Sequence, residues 1–350
     1  MKKGFLLISG LLAGSAVFAS GPVDPVEPIE PLGIDSLINL QGVVISANKI
    51  QVNRNSVPLT ISVIDRDQIE ASSESALLPV LSERVPGLFV TEKGITGFGV
   101  SNGSAGTVNI RGVGQGNKVL MLFDGQPQWA GVFGHSLPDT YVASDIERVE
   151  VIRGPGSLLY GSNAMGGVIY IITRKMQTEG ISTHAHVGYG SYNTLQTEAT
   201  NRIRKGRFTS IVSGSYNRTD GHRADMGFEQ YGGYAKLGYE LSSKWKAEAD
   251  VNITHFNASQ PGEVSQPLLD ADQNITRGMT SFALENHYEK TSGRLSFFYN
   301  WGRHKINDGY APSEGESPLP YRFHSRDNMM GVSWYQNAQL FRGNLLTAGI

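Results

Sequence analysis

Trp129, Phe133 and His135 fall within one short run, Trp129-Ala-Gly-Val-Phe-Gly-His135. Two flat aromatic faces and an imidazole suit a planar or metal-bearing ligand, with His135 acting as ligand or donor. Packing within a loop is the plainer reading and is favoured. His184 and His186 stand two apart, on one face of a strand and opposite Ala185 and Val187. A two-histidine metal site needs further ligands that the sequence does not identify, so both are read as polar groups facing an interior. Asp270-Ala-Asp272-Gln-Asn274 opens like a calcium loop, but Ile275 stands where glycine is required and Ser281 where the closing Glu belongs. That stretch is read as a solvated loop, and no metal site is assigned. No G-x-S-x-G, H-E-x-x-H or phosphate-binding loop occurs. Gly112-Val-Gly114-Gln-Gly116 is too short for a dinucleotide fingerprint. The chain is expected not to be an enzyme and to need no cofactor.

The elements around these residues are mostly strands and turns. Glycine takes 42 of the 350 positions, well above the average of about 7%. A formal charge of −2 gives no electrostatic case for nucleic acid. Cysteine is absent, which excludes disulfides, thiolate metal sites and a lipidated N-terminal cysteine. Lys2-Lys3, the apolar run Phe5 to Leu12 and Val17-Phe18-Ala19 read as a cleaved export signal over 1–19. Its apolar run is too short to cross a bilayer, which takes ~20 residues. Pro22, Pro25, Pro28 and Pro31 make 20–41 a stiff extended spacer.

Strands are predicted at Ile61 to Ile64, Thr107 to Arg111, Val119 to Phe123, Arg148 to Arg153 and Val168 to Thr173. In the fourth, Val149 and Val151 share one face and Glu150 and Ile152 the other. Asp65 should cap a turn at Gln68-Ile69-Glu70. Ser73 or Ser75 should open a short helix carrying Leu77, Leu78 and Leu81.

From "SVIDRDQIE" through "LSERVPGLFV", "VNIRGVG" and "VLMLFDGQP" to "ERVEVIRGPGSLLYGSNAMGGVIYIITR", the chain resembles the plug domain of TonB-dependent outer-membrane receptors. The resemblance covers about residues 42–175. It implies a plug at 48–176, with Arg111, Gly112, Asp124, Gly125, Arg153, Gly154, Pro155, Gly156, Tyr160, Gly161, Gly166 and Gly167 as its structural motif. It places Gly42, Val43, Val44, Ile45, Ser46 and Ala47 as the box that the periplasmic protein TonB pairs with, by strand addition. It also puts the Trp129–His135 run on a plug loop facing outside.

After residue 180 the chain alternates. Trp245, Ala247, Ala249, Val251 and Ile253 point one way, and Lys246, Glu248, Asp250, Asn252 and Thr254 the other. Leu295, Phe297, Tyr299 and Trp301 repeat the pattern with Phe298 as an exception, as do Gly233, Ala235, Leu237 and Tyr239. Gly206, Ser242-Ser243 and Ser292-Gly293 mark short turns, against long loops near 219–230, 257–277 and 306–326. Short turns on one side and long loops on the other fit a membrane barrel. Tyr216, Tyr239, Trp245 and Phe256 would form its aromatic girdle. The fold expected is therefore an α+β plug inside a transmembrane antiparallel β-barrel. About eight strands and part of a ninth fall in 180–350, against about 22 in a plugged transporter barrel. With Leu345 to Ile350 inside an apparent strand, a piece of a longer protein is expected.

The function implied is an outer-membrane receptor importing a scarce metal chelate. A ferric siderophore or haem is the first choice, cobalamin the next, and membrane lipid and TonB are the partners. A surface lipoprotein stays open as a further partner. A glycan importer of the starch-utilisation type is the alternative, but it resembles a longer N-terminus than residues 20–41. A signalling receptor would also need an added N-terminal domain, and an exported enzyme lacks any catalytic constellation.

Overall fold

The computed structural model describes residues 44–45, 52–53, 59–72, 76–90, 108–114, 118–129, 146–341 and 344–350. The export signal, the proline spacer, Gly42, Val43, Ser46, Ala47, Phe133 and His135 lie outside the described residues.

The first strands are a short antiparallel pair, β1 (Val44–Ile45) with β2 (Val52–Asn53). β3 (Ile61–Asp65) follows and runs directly into α1 (Arg66–Glu70). Asp65 caps α1 as the sequence predicts. Its carboxylate accepts from the Gln68 backbone N–H at 3.0 Å, and the Gln68 side chain accepts from the Asp65 N–H at 3.1 Å. α2 (Leu77–Arg84) starts differently from the prediction: Ala76 is its N-cap, with no side-chain hydrogen bond. Ser73 and Ser75 lie outside the described residues. Packing holds α2 in place of a polar cap, because Leu77, Leu78, Val80 and Leu81 are fully buried.

β4 (Leu88–Val90) pairs with β5 (Val108–Ile110). β6 (Val119–Phe123) turns into β7 (Gln126–Gln128); β8 (Ile146–Arg153) leads through α3 (Ser157–Tyr160) to β9 (Gly167–Thr173). These strands form a five-stranded sheet in the order β3-β8-β9-β6-β7, with β6 and β9 parallel and the other pairs antiparallel. Val149, Val151, Ile169, Ile171 and Met121 pack towards α2, while Ile152, Val168, Leu120 and Leu122 form a second cluster on the other face. Each fully buried aliphatic side chain contributes roughly 1.5–3 kcal/mol.

The rest of the chain is one meander: β10 (Gly180–Gly190), β11 (Thr194–Lys205), β12 (Phe208–Thr219), β13 (Phe228–Glu240), β14 (Trp245–Ser259), β15 (Leu269–His287), β16 (Thr291–Tyr310), β17 (Phe323–Ala338) and β18 (Leu346–Gly349). All nine are antiparallel to their neighbours in sequence order.

This sheet is turned inside out relative to a soluble one. On β14, Glu248, Asp250 and Thr254 are buried, while Trp245, Val251 and Ile253 are exposed. The polar face packs around the first sheet, whose main apolar cluster continues into Ile211, Tyr234 and Met279 of the wall. The apolar face looks outward, where lipid belongs. His184 and His186 sit opposite Thr200 and Glu198 on this inner face, and His184 lies 3.7 Å from the Glu198 carboxylate. Phe298, the exception to the alternation, also points inward; the ring lies over Gly331, where a Cβ would come within 2.5 Å of it.

Four expectations for this sheet fail. The long connections are only 220–227, 260–268 and 311–322, because the strands continue into the segments read as loops. β15 and β16 have 19 and 20 residues, about twice the 9–11 needed to cross a bilayer. Backbone pairing carries both beyond the membrane with polar side chains. The calcium-like stretch Asp270–Asn274 is therefore strand, and an alternating strand cannot wrap its side chains about one cation. The Ser292-Gly293 turn is really 288–290. Phe256 leaves the girdle set: its even position turns it inward, fully buried and stacked on Phe228 at 5.9 Å.

Candidate functional site

The candidate site is where the first sheet meets the inner face of the second, and Asp124 is its centre. Asp124 and Gly125 both have positive φ, +47° and +90°. That is the geometry of a tight hairpin turn, and glycine takes the second position without strain. The turn leaves the Asp124 carboxylate at the end of β6, beside Thr173 at the end of β9. The Thr173 backbone N–H donates to it at 2.9 Å and the Thr173 hydroxyl at 2.5 Å. From the wall, the Lys236 ammonium donates at 2.7 Å to the same carboxylate and at 3.2 Å to the Thr173 hydroxyl. Tyr234, two residues earlier on β13, donates its hydroxyl to Thr173 at 3.2 Å and meets the Phe123 ring edge-on at 5.8 Å.

Asp124 and Lys236 are both buried. Burial pushes the Asp124 carboxyl up, but the Lys236 ammonium and the Thr173 donors outweigh it and hold it below its usual range. A buried ion pair adds little over an apolar pair, yet losing one partner costs about 3–5 kcal/mol through the charge left behind. The contact therefore specifies where the first sheet sits more than it stabilises it.

β7 carries the contact line onward. Gln126 donates to Asp250 at 3.1 and 3.2 Å, and the Ser281 hydroxyl donates to the same carboxylate. Asn300 donates to the Pro127 carbonyl at 2.8 Å and Arg277 to the Trp129 carbonyl at 2.6 Å. Arg277 is in turn held by Asp327 at 2.9 Å. β7 is the edge of its sheet, and wall side chains satisfy its carbonyls where a further strand would otherwise pair. A small cavity beside it is lined by Phe123, Gln128, Asn252, Arg277, Met279 and Asn300. Beyond β9, Lys175 reaches Glu248 at 3.6 Å, and Lys246 and Arg294 approach the same carboxylate at 2.6 and 3.4 Å.

At the end of α1, Glu70 bridges Arg66 and Arg174, each at 2.6 Å. The hydrogen bond from Arg66, aided by Arg174, brings its pKa down to about 2.

Of the residues singled out from sequence, Trp129 is placed by its carbonyl at the end of β7, while its companions Phe133 and His135 are outside the described residues. Val44 and Ile45 lie in β1, opposite Asn53 and Val52. Arg111 and Gly112 form a second positive-φ pair. Arg153 donates to the Pro86 carbonyl at 3.2 Å. Gly154, Pro155, Gly156, Tyr160, Gly161 and Gly166 make the turns and short helix joining β8 to β9. Gly167 meets a crowded backbone, since a Cβ there would lie 2.4 Å from the Ile152 carbonyl oxygen. Sequence reasoning did not single out Lys236, Asp250 or Arg277. Their positions on the polar face of alternating strands were the available signal, but not which groups they would meet.

A family model described as the TonB-dependent receptor plug domain matches residues 53–168, the span that carries this sheet and its turns. Residues 53–168 are thus those of a TonB-dependent receptor plug domain. Over 219 residues it is 32% identical to a vitamin B12 transporter, BtuB, of Vibrio vulnificus strain CMCP6, covering 60% of this chain and 34% of that one. A second vitamin B12 transporter, from strain YJ016, is 27% identical over 320 residues, 88% of this chain and 49% of the relative. The chain thus spans from a third to a half of the curated relatives it matches. Among solved receptors, the fold is similar to FpvA of Pseudomonas aeruginosa bound to a ferric pyoverdine. The TM-score is 0.70 at 15% identity, over 86% of this chain and 43% of FpvA. The ferric enterobactin receptor PfeA of the same organism gives 0.65 at 19% identity, over 88% of this chain and 50% of PfeA. β3 to β9 are accordingly the plug elements and β10 to β18 are barrel-wall strands.

Proposed function

We propose that the chain supplies the plug and first wall strands of an outer-membrane importer for a scarce metal chelate. The cargo class is ferric siderophore, haem or cobalamin, and the vitamin B12 relatives raise the weight of cobalamin. The cargo is captured on the loop side, with Trp129, Phe133 and His135 as proposed contacts. The plug closes the lumen until TonB pulls on Gly42–Ala47. No bond is made or broken, and the force comes from the inner membrane.

The observation that carries this reading is the chemistry of the plug–wall contact. It consists largely of ion pairs and hydrogen bonds, among them Lys236 to Asp124, Gln126 to Asp250 and Asn300 to the Pro127 carbonyl. Such contacts can be exchanged for water and remade, whereas a continuous apolar seam would fuse plug and wall. At the other end, β1 and β2 share only two residue pairs. A ladder that short is unstable alone, so an incoming strand of TonB can replace β2 at Val44–Ile45.

Deleting residues 42–47 should abolish uptake while leaving binding of cargo at the surface intact; retained uptake would sink the proposal. Titrating haem, ferric siderophores and cobalamin against the intact receptor identifies the cargo. Binding of oligosaccharide alone would move the assignment to the glycan importers.

A further inference from the structure

The outward face of β16 and β17 changes character abruptly along its length. From the short-turn side it runs Leu295, Phe297, Tyr299 and Trp301 on β16, opposite Trp334, Val332, Met330 and Asn328 on β17. The next two cross-strand pairs are Arg303 with Arg326 and Lys305 with His324. All four are exposed. No ion pair to a carboxylate engages Arg303, Arg326 or Lys305 among the described residues. The acid higher on this face, Asp272, is already held by Arg322.

Directly opposed like charges destabilise a strand pair, and here two arginines face each other with a lysine on the next step. An anion bridging them removes that cost. The site is also shaped: Tyr299, Trp301, Gly302, Arg303, Arg326 and Asn328 line a hollow on this face. Trp301 lies flat across Gly278, where a Cβ would come within 2.2 Å of its ring, and the Arg303 guanidinium sits 6.0 Å from the Trp301 ring centre. A guanidinium pair above an aromatic floor suits a phosphate monoester, which each fork can take bidentately.

The level of the hollow selects the source of the phosphate. Trp301 and Tyr299 stand at the loop-side rim of the apolar band, where acyl chains end and headgroups begin. Met330 and Val332, directly below, are exposed and would lie along those chains. We infer that Arg303 and Arg326, supported by Lys305, bind the phosphorylated headgroup of a membrane lipid in the leaflet on the loop side, with its acyl chains against Met330 and Val332. The inference concerns the outside of the wall and is independent of which cargo passes through the lumen.

The test is native mass spectrometry of the intact receptor in mild detergent, titrated with bisphosphorylated lipid A and with the same lipid after dephosphorylation. The phosphorylated form should bind about tenfold or more tightly, as expected for charge-assisted hydrogen bonds. Arg303→Ala/Arg326→Ala should erase that preference, while Arg303→Lys/Arg326→Lys should keep part of it. Equal binding of the two lipids by the unaltered receptor would overturn the inference even if the double variant failed to fold. So would complete displacement by a large excess of inorganic phosphate, which would mark a site for the free anion.

Discussion

Two sheets in this chain obey the same physical rule and look like opposites. The plug sheet hides aliphatic side chains on both faces, with Val149, Val151, Ile152 and Ile171 almost wholly removed from solvent. The wall sheet buries Lys236, Glu248 and Asp250 and exposes Val251, Ile253 and Met330. In each case the side chain matches what its face meets: aliphatic neighbours and helix α2 for the plug, lipid outside and the plug inside for the wall. The boundary between them is consequently largely polar, with Ile211, Tyr234 and Met279 of the wall as its apolar part. Apolar burial makes the plug a body, and ion pairs decide where it sits.

If that division is right, the largest effect comes from a charge in the plug core. Val149→Asp places an unpaired carboxylate at a fully buried position and should cost more than about 4 kcal/mol. The plug should lose its protection from protease while the wall keeps its heat-resistant mobility on gels. Asn252→Asp, on the polar lumenal face beside Arg277, should cost less than about 1 kcal/mol.

Next in size is the seat. Asp124→Ala strands Lys236 and should loosen the plug by about 3–5 kcal/mol, read by hydrogen exchange in β6 and β9. Adding Lys236→Ala should recover part of that loss, because the pair acts as a unit. Additive losses would break the picture of a specifying contact. Because the Asp124 pKa is lowered in the folded protein, its contribution is full above the usual carboxylate range. It fades only as pH falls through that lowered value.

The smallest effect is at Glu70, which is nearly half exposed. Glu70→Gln should change plug stability by less than about 1 kcal/mol. With a folded pKa of about 2 against an ordinary 4.5, its contribution is present above pH 4.5 and lost as pH falls towards 2. Acid titration of the plug with and without the substitution checks both sign and window.

How much of this was legible depends on whether the information is local. The Asp65 cap, the Asp124-Gly125 turn and the β14 alternation are written in residues close in sequence, and each could be read directly. Phe256 was misplaced although its parity already turned it inward. The ends of β15 and β16 were misjudged because polar residues there look like loop, while the cross-strand ladder that keeps them extended is not local. The Asp124–Lys236 contact joins groups 112 positions apart. Asp124 was visible as part of the plug motif, but nothing in the chain said that it meets Lys236.

The central claim is the inside-out wall, and the absence of native cysteine gives it a clean test. Single cysteines at Val251, Asn252, Ile253 and Thr254 would each carry a small fluorophore in the reconstituted receptor, with a nitroxide quencher on the lipid acyl chains. The account predicts strong quenching at 251 and 253 and little at 252 and 254. Equal quenching along the strand, or the reverse alternation, would contradict it.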